Sequence, residues 1–393
     1  MATQRHSSER FDPFDPAHHR EPGETLAAAR RCPVYEPRPG LAVVARYADV
    51  HAALADPDHF SNHGNFALEG EVPLPIELIT TMDPPEHGEL RGRLRRWFAP
   101  VELRKQEPRV REIVASAIDE LPARGNVELY GAFVERVPAR VVFSFLGLPA
   151  EDWARVQQWT DRIAETLPNV SPDQAEFRLV LDYLTGLVGR RLEQPPTGED
   201  VIDGLVHAAP GERPLSAPEI VTHVLQLVMA ATDTTRSATT NTIYRLLADR
   251  RNWARVRHDR SMLPAAIEEA LRLDAPLQFV LRTAKQTAEL SGCPIPEANK
   301  VLLSLQSANW DDTVWGPDAT EYALDRERST SHLSFGYGIH TCLGAPLARI
   351  EVRLMTEALL DRYPDMRLAE DYRWEKIAGN MLRRPAQLDV TLA

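Results

Sequence analysis

The chain has 393 residues, 43% hydrophobic and 26% charged, values that fit a globular protein with a sizeable core and exclude extended disorder. Its 57 acidic and 45 basic side chains leave a net charge of −12, which disfavours nucleic acid or an anionic membrane as a general partner. The three cysteines, Cys32, Cys293 and Cys342, are scattered, as suits thiols in a reducing cytoplasm rather than a disulfide framework.

Residues 1–22 are polar and contain no apolar core of a signal peptide, so they are taken as an N-terminal segment ahead of one domain, 23–393. Roughly 150 residues per domain would allow two or three domains, but no linker, repeat or low-complexity tract divides the chain. No stretch approaches the ~20 apolar residues of a membrane span. The strongest, 224–231, is interrupted by Gln226. The sequence therefore predicts a cytoplasmic protein without a membrane anchor.

A short strand is predicted at 41–45. Next, Asp83-Pro-Pro-Glu-His-Gly-Glu-Leu-Arg91 opens a helix and places His87 and Arg91 at i, i+4, on one face, where they could grip a carboxylate. Apolar residues at i, i+3, i+4 predict helices over 107–121, 133–146, 152–167 and 173–192. Ser216-Ala-Pro-Glu219 is a capping box with a proline in the first turn, opening a helix to Ala248. Such a helix would be roughly 50 Å long, a spine for the molecule. Within it, Ala230-Ala-Thr-Asp-Thr-Thr235 inserts a hydroxyl-rich step into an apolar face. Threonines that bond back to carbonyls four residues earlier can bend a helix and open a groove.

Downstream come Glu269-Ala-Leu-Arg272, Phe279-Val-Leu-Arg282, a strand at 301–305, and Arg326 in Tyr-Ala-Leu-Asp-Arg. A Glu-x-x-Arg pair alone is usually a solvated ion pair. The most informative segment is Phe335-Gly-Tyr-Gly-Ile-His-Thr-Cys-Leu-Gly-Ala-Pro-Leu-Ala-Arg349. Its glycines Gly336, Gly338 and Gly344 permit tight turns and close approach to a flat group, and Pro346 starts a helix over 349–362. Cys342 then stands at a helix N-terminus, where free N–H groups and the helix dipole favour a thiolate, the form that binds metal. A last strand is predicted at 388–392. The whole is mainly α with small peripheral β-sheets.

The cysteine segment, Phe-x-x-Gly-x-x-x-Cys-x-Gly, strongly resembles the haem loop of the cytochrome P-450 superfamily, and the other motifs follow in that family's order from about residue 41 to 362. The resemblance implies the fold of that family, a triangular prism with a long central helix over the haem, and a soluble bacterial enzyme. It implies that Cys342 is the iron ligand, with Phe335 beside it and Gly344 in the loop. His87, Arg91, Arg282 and His340 would hold haem propionates, Glu269, Arg272 and Arg326 would form a structural cluster, and Asp233 and Thr234 would be the acid–alcohol pair that delivers protons. Departures are Gly88 and Ala231, where other residues are usual, Trp310, and Pro296-Glu-Ala-Asn299.

The implied cofactor is haem b, with dioxygen as co-substrate. A chain with three cysteines cannot bind its own four-cysteine iron–sulfur cluster, so electrons from NAD(P)H would come through ferredoxin reductase and ferredoxin. Arg93, Arg95, Arg96 and Arg353 are the expected docking patch. The substrate is expected to be a small apolar organic molecule in a cavity of Phe66, Leu74, Ile76, Ile79, Leu167, Met229, Ala230, Phe279, Val280 and Met381. Hydroxylation, epoxidation or oxidative dealkylation would follow. A haem sensor or carrier would not need the acid–alcohol pair, which also argues against a peroxide-driven peroxygenase. A cysteine hydrolase using His340 as base is poorly arranged at two residues from Cys342.

Overall fold

The computed structural model describes residues 10–65, 76–164, 174–327, 329–379 and 381–393. The helices that build the interior are α1 (Tyr47–Ala55), α2 (Glu86–Arg95), α3 (Pro100–Asp119), α4 (Arg136–Leu146), α5 (Trp153–Ala164), α6 (Ala175–Leu192), α7 (Ala217–Ala248), α8 (Leu263–Leu273) and α9 (Ala345–Arg362). The strands are β1 (Val34–Arg38), β2 (Leu41–Val44), β3 (Phe60–Ser61), β4 (Gly125–Glu128), β5 (Val280–Ala284), β6 (Ala288–Leu290), β7 (Cys293–Ile295), β8 (Lys300–Leu303), β9 (Arg367–Leu368) and β10 (Asp389–Leu392). They form one sheet in the order β1-β2-β8-β5-β3, a second in the order β4-β10-β9, and a β6-β7 hairpin. β2 and β8 run parallel, and every other pairing is antiparallel. The expected mainly α protein with small sheets is what the chain forms. Among the described residues, no helix is long and apolar enough to cross a membrane.

α7 has 32 residues, about 48 Å at the helical rise. Its start is fixed reciprocally: Ser216 Oγ accepts from the Glu219 amide, and Glu219 accepts from the Ser216 amide at 2.7 Å. Apolar Val221, Val224, Val228, Ile243 and Leu246 bury it in the main core. Ser237, Thr240 and Thr242 are also buried, each bonding back to a carbonyl four residues earlier at 2.7–2.8 Å. Their polarity is thereby satisfied inside the helix while their small size lets α4, α6, α8 and α9 pack closely around it. α7 continues unbroken through these residues.

Two helix starts differ from the periodicity. α3 begins at Pro100, earlier than 107, because a proline suits a first turn, and Pro108 is carried inside the helix. Ahead of α4, a π-helical turn, Tyr130–Val134, is closed by the Glu135 amide on the Tyr130 carbonyl at 2.8 Å. The polar N-terminal stretch is no free tail over its described part. Phe11 is 3% exposed and packs with Leu26, Phe279 and Trp310, while buried His19 lies 2.7 Å through Nε2 from the Pro13 carbonyl.

Asp274, just past α8, is fully buried and held by Arg245 of α7 at 2.6 Å and by Arg383 at 3.0 Å. Asn241 donates to the carbonyls of Asp274 and Arg383 at 3.1 and 2.8 Å. This cluster ties the C-terminal loop to the central helix.

Candidate active site

The cysteine loop is shaped by hydrogen bonds within it and by one close approach. The Cys342 amide donates to the Phe335 carbonyl at 2.7 Å, and Thr341 Oγ1 donates to the Gly338 carbonyl at 2.8 Å. Gly338 has φ +72°, and a Cβ there would stand 2.5 Å from the Leu54 carbonyl of α1. Only glycine lets the loop sit this close to α1.

Cys342 is exposed, and its sulfur stands 3.9 Å from where a Cβ at Gly344 would lie. Burial pushes its thiol up, against the N–H groups of Gly344 and Ala345 and the cations Arg91 and Arg349. The helix start therefore acts in the expected direction, but burial outweighs it in the protein alone. A coordinated cation deprotonates a thiol outright.

Next to this loop two arginines and two histidines gather. The rings of His87 and His340 are 4.0 Å apart, and Arg91 donates to the Thr341 carbonyl. Arg282, on β5, is 6% exposed and donates at 2.7 Å to its neighbour's carbonyl, that of Leu281. Burial lowers its guanidinium to about 10, partly offset by Asp83. His340 is pushed down to about 3, by burial first and then by His87, Arg282 and Arg91. His87 is 2% exposed, and its Nε2 is buried without a partner among the described residues. Two guanidinium groups beside two imidazoles that burial keeps neutral, with a buried ring nitrogen lacking a partner among the described residues, fit an anion of more than one charge. Among the described residues no group of three or more His, Cys, Asp and Glu converges as a metal site. A single thiol ringed by cations thus fits a metal that arrives already chelated in a flat, anionic molecule.

On α7, Ala230 is exposed although the helix is largely buried, and Leu227, Ala231, Asp233 and Thr234 are half-buried. Thr234 Oγ1 donates to the Ala230 carbonyl at 2.7 Å. The Asp233 carboxylate meets Arg236 at 3.0 Å, and the same nitrogen, Nη1, is 2.7 Å from Asp161 of α5.

The Glu269 cluster is not a solvated pair. Glu269 and Arg272 are both fully buried, with Nε–Oε2 at 2.8 Å, and Arg326 reaches Oε1 at 2.8 Å. Arg272 also donates to the carbonyls of Asn309 and Ala319 at 2.6 Å. Asn309 in turn accepts from the Leu333 amide and donates to Ser334, both at 2.8 Å, fixing the approach to Phe335.

Several expectations need correcting. Phe279 does not line a cavity; at 1% exposure it is core, packed with Phe11, Leu41 and Leu302, because it points to the sheet face opposite Val280 and Arg282. Ile79 is 9% exposed and its amide donates to Gln226 of α7 at 3.0 Å. Met229, Val280 and Met381 are half-buried. Phe66, Leu74 and Leu167 lie outside the described residues. The basic patch is largely neutralised from within. Arg93 is 6% exposed and pairs with Glu212 at 3.1 Å, Arg96 meets the same carboxylate at 3.6 Å, and Arg353 pairs with Glu107 and Glu357, which leaves Arg95 exposed. Sequence reasoning also missed Arg236, Asn309, and the pair of Glu268 with Arg349. The adjacent acids Glu268-Glu269 on an amphipathic helix were the available signal, since both are buried.

The sequence profile of the family described as "Cytochrome P450" matches residues 178–368. Nocardicin C N-oxygenase of Nocardia uniformis subsp. tsuyamanensis is 33% identical, with 89% of each chain covered. Cytochrome P450 130 of Mycobacterium tuberculosis is 32% identical over 94% of this chain and 90% of its own. The chain belongs to the cytochrome P450 family. The crystal structure of CYP109E1 from Bacillus megaterium in complex with corticosterone superposes on this P450 with a TM-score of 0.84, at 27% identity, covering 94% of this chain and 98% of the other. The family makes this P450 a haem-thiolate monooxygenase, an oxidoreductase that uses dioxygen.

Proposed function

We propose that this P450 oxygenates a small, mainly apolar organic molecule, with Cys342 as the thiolate that would hold the haem iron and His87, Arg91, Arg282 and His340 as the side chains that would hold the propionates of haem b. The observation that carries the reading is the gathering of those four side chains beside the cysteine loop, with His87 Nε2 buried and unpartnered among the described residues. When bound, haem supplies dioxygen activation, one atom entering the substrate and the other leaving as water. The chain's own residues bind, orient and move protons. Phe335 and Gly344 shape the loop around Cys342, and the buried cluster of Glu269, Arg272 and Arg326 holds the approach to it. Asp233, with its side chain 21% exposed, takes up protons from solvent, and Thr234 Oγ1 passes them inward.

The substrate lies against Ala230, Met229, Val280 and Met381. The apolar side chains of Met229, Val280 and Met381 support an apolar cavity, and of the molecules named for the relatives corticosterone fits it. Electrons come from NAD(P)H by way of ferredoxin reductase and ferredoxin in the cytoplasm, and residues 23–393 act as one domain. The neutralised arginines favour a docking surface with exposed Arg95 rather than Arg93, Arg96 and Arg353.

The test is the optical spectrum of the purified protein, oxidised and then reduced under carbon monoxide, beside Cys342→Ser. A strongly red-shifted Soret band that Cys342→Ser abolishes is expected. A band unaffected by that substitution would remove Cys342 from the iron.

A further inference from the structure

The ring of Phe335 has a cation fixed against it. Arg349, on α9, places its Cζ 4.4 Å from the ring centroid. Its guanidinium is clamped from behind by Glu268 of α8, with Nε–Oε1 at 2.6 Å and Nη2–Oε2 at 2.8 Å, a two-pronged pair that fixes orientation as well as distance. Buried His332 comes from the loop side, its Nε2 3.3 Å from Glu268 Oε2 and its ring 5.8 Å from that of Phe335. Three elements thus meet: α8 supplies the carboxylate, α9 the guanidinium, and the loop the ring. The same Phe335 accepts the Cys342 amide through its carbonyl at 2.7 Å.

Resting on Cys342 as the iron ligand, we propose that Arg349 is a positioning residue. Clamped by Glu268, it holds the Phe335 ring against the cysteine loop and presents an oriented charge pair, cation inward, that sets the reduction potential of the group bound at Cys342.

Both charges persist at working pH. A guanidinium stays protonated. Against burial, which opposes it, hydrogen bonds from Arg349 and His332 hold Glu268 down to about 2. Arg349 lies over the ring of the residue whose carbonyl accepts the Cys342 amide, so its charge stands beside the cysteine loop. Charge and hydrogen bonding around the ligating sulfur are among the protein's means of setting such a potential. A cation near the sulfur favours the reduced state, which carries one more negative charge, and a carboxylate behind it moderates that effect.

The two halves of the pair therefore act with opposite sign, which a purely structural ion pair does not. The experiment compares haem-loaded, full-length Arg349→Gln and Glu268→Gln with the wild type, reading the midpoint potential by spectroelectrochemical titration. Arg349→Gln should lower the potential and Glu268→Gln raise it, each by on the order of a tenfold change in the reduction equilibrium, about 59 mV for one electron. Potentials that move together, or not at all, overturn the proposal. If the glutamine variants lose haem, Arg349→Lys and Glu268→Asp carry the test. The first draws the charge toward Glu268 and lowers the potential, while the second withdraws the carboxylate and raises it. Loss of haem in all four would assign the pair to folding and overturn the proposal. The carbon-monoxide band of the wild type is read first: its absence overturns the haem-thiolate reading and this proposal together, whereas an intact band with unmoved potentials overturns this proposal alone.

Discussion

Arg326 and Glu269, 57 positions apart, meet at 2.8 Å on the carboxylate that also holds Arg272 at 2.8 Å. Removing the carboxylate would leave the fully buried Arg272 guanidinium with backbone carbonyls alone, while Arg326 keeps Asp318 at 3.2 Å. Glu269→Gln is therefore expected to cost about 3–5 kcal/mol, read as a lower denaturation midpoint. Arg326→Gln should cost less, because Glu269 keeps Arg272. Equal losses would mean that the carboxylate does not organise the cluster.

The acid–alcohol pair is tested by coupling. Thr234→Ala should retain the haem spectrum yet divert reducing equivalents to peroxide, and Asp233→Asn should slow turnover by roughly 10²–10⁴-fold. The ratio of product to reductant consumed is the measurement. Unchanged coupling in Thr234→Ala would take the hydroxyl out of proton delivery.

Arg282 is buried with a carbonyl partner beside it and, among the described residues, no ion pair, which leaves its charge to meet a propionate. A charge-assisted hydrogen bond is worth about 1.5–3 kcal/mol. Arg282→Gln should accordingly release haem to an apoprotein acceptor roughly 10–100-fold more readily. A release rate equal to that of the wild type would place Arg282 outside the cofactor contacts.

His223, on α7, gives a pH signature. It is 2% exposed, and burial lowers it to about 4, with Glu219 opposing and Arg213 and Arg93 assisting. The unfolded chain binds a proton near pH 6.5 that the folded chain refuses until about pH 4. Its contribution is therefore complete above about pH 6.5 and is lost as pH falls toward 4, in total about 3 kcal/mol. His223→Gln should flatten the fall in stability over that window. An unchanged profile would show that other groups govern it.

Much of this was legible in the sequence because it depends on local chemistry. The Ser216 box fixed the start of α7, and the glycines around Cys342 marked the loop whose closest approach, at Gly338, tolerates no side chain. What escaped was the sense of long-range pairing. Arg93, Arg96 and Arg353 read as an open basic face, but Glu212 and Glu107 come from distant segments to neutralise them. Phe279 and Val280 are neighbours in sequence, yet strand alternation sends one into the core and leaves the other half-buried.

The triad of Asp274, Arg245 and Arg383 bears on how this enzyme can acquire new substrates. Arg383 lies two residues beyond Met381, whose carbonyl accepts from the Gln278 amide at 2.8 Å, while the Arg383 amide donates to the Pro276 carbonyl at 3.0 Å. The main chain at position 381 is thus pinned on both sides to a segment anchored in buried charge, and its half-buried side chain stays free to vary. With Met381 in the proposed substrate cavity, drift at that position would reshape what the cavity accepts without forfeiting the fold, whereas drift two residues later would not. Adaptability and robustness are separated here by two peptide units.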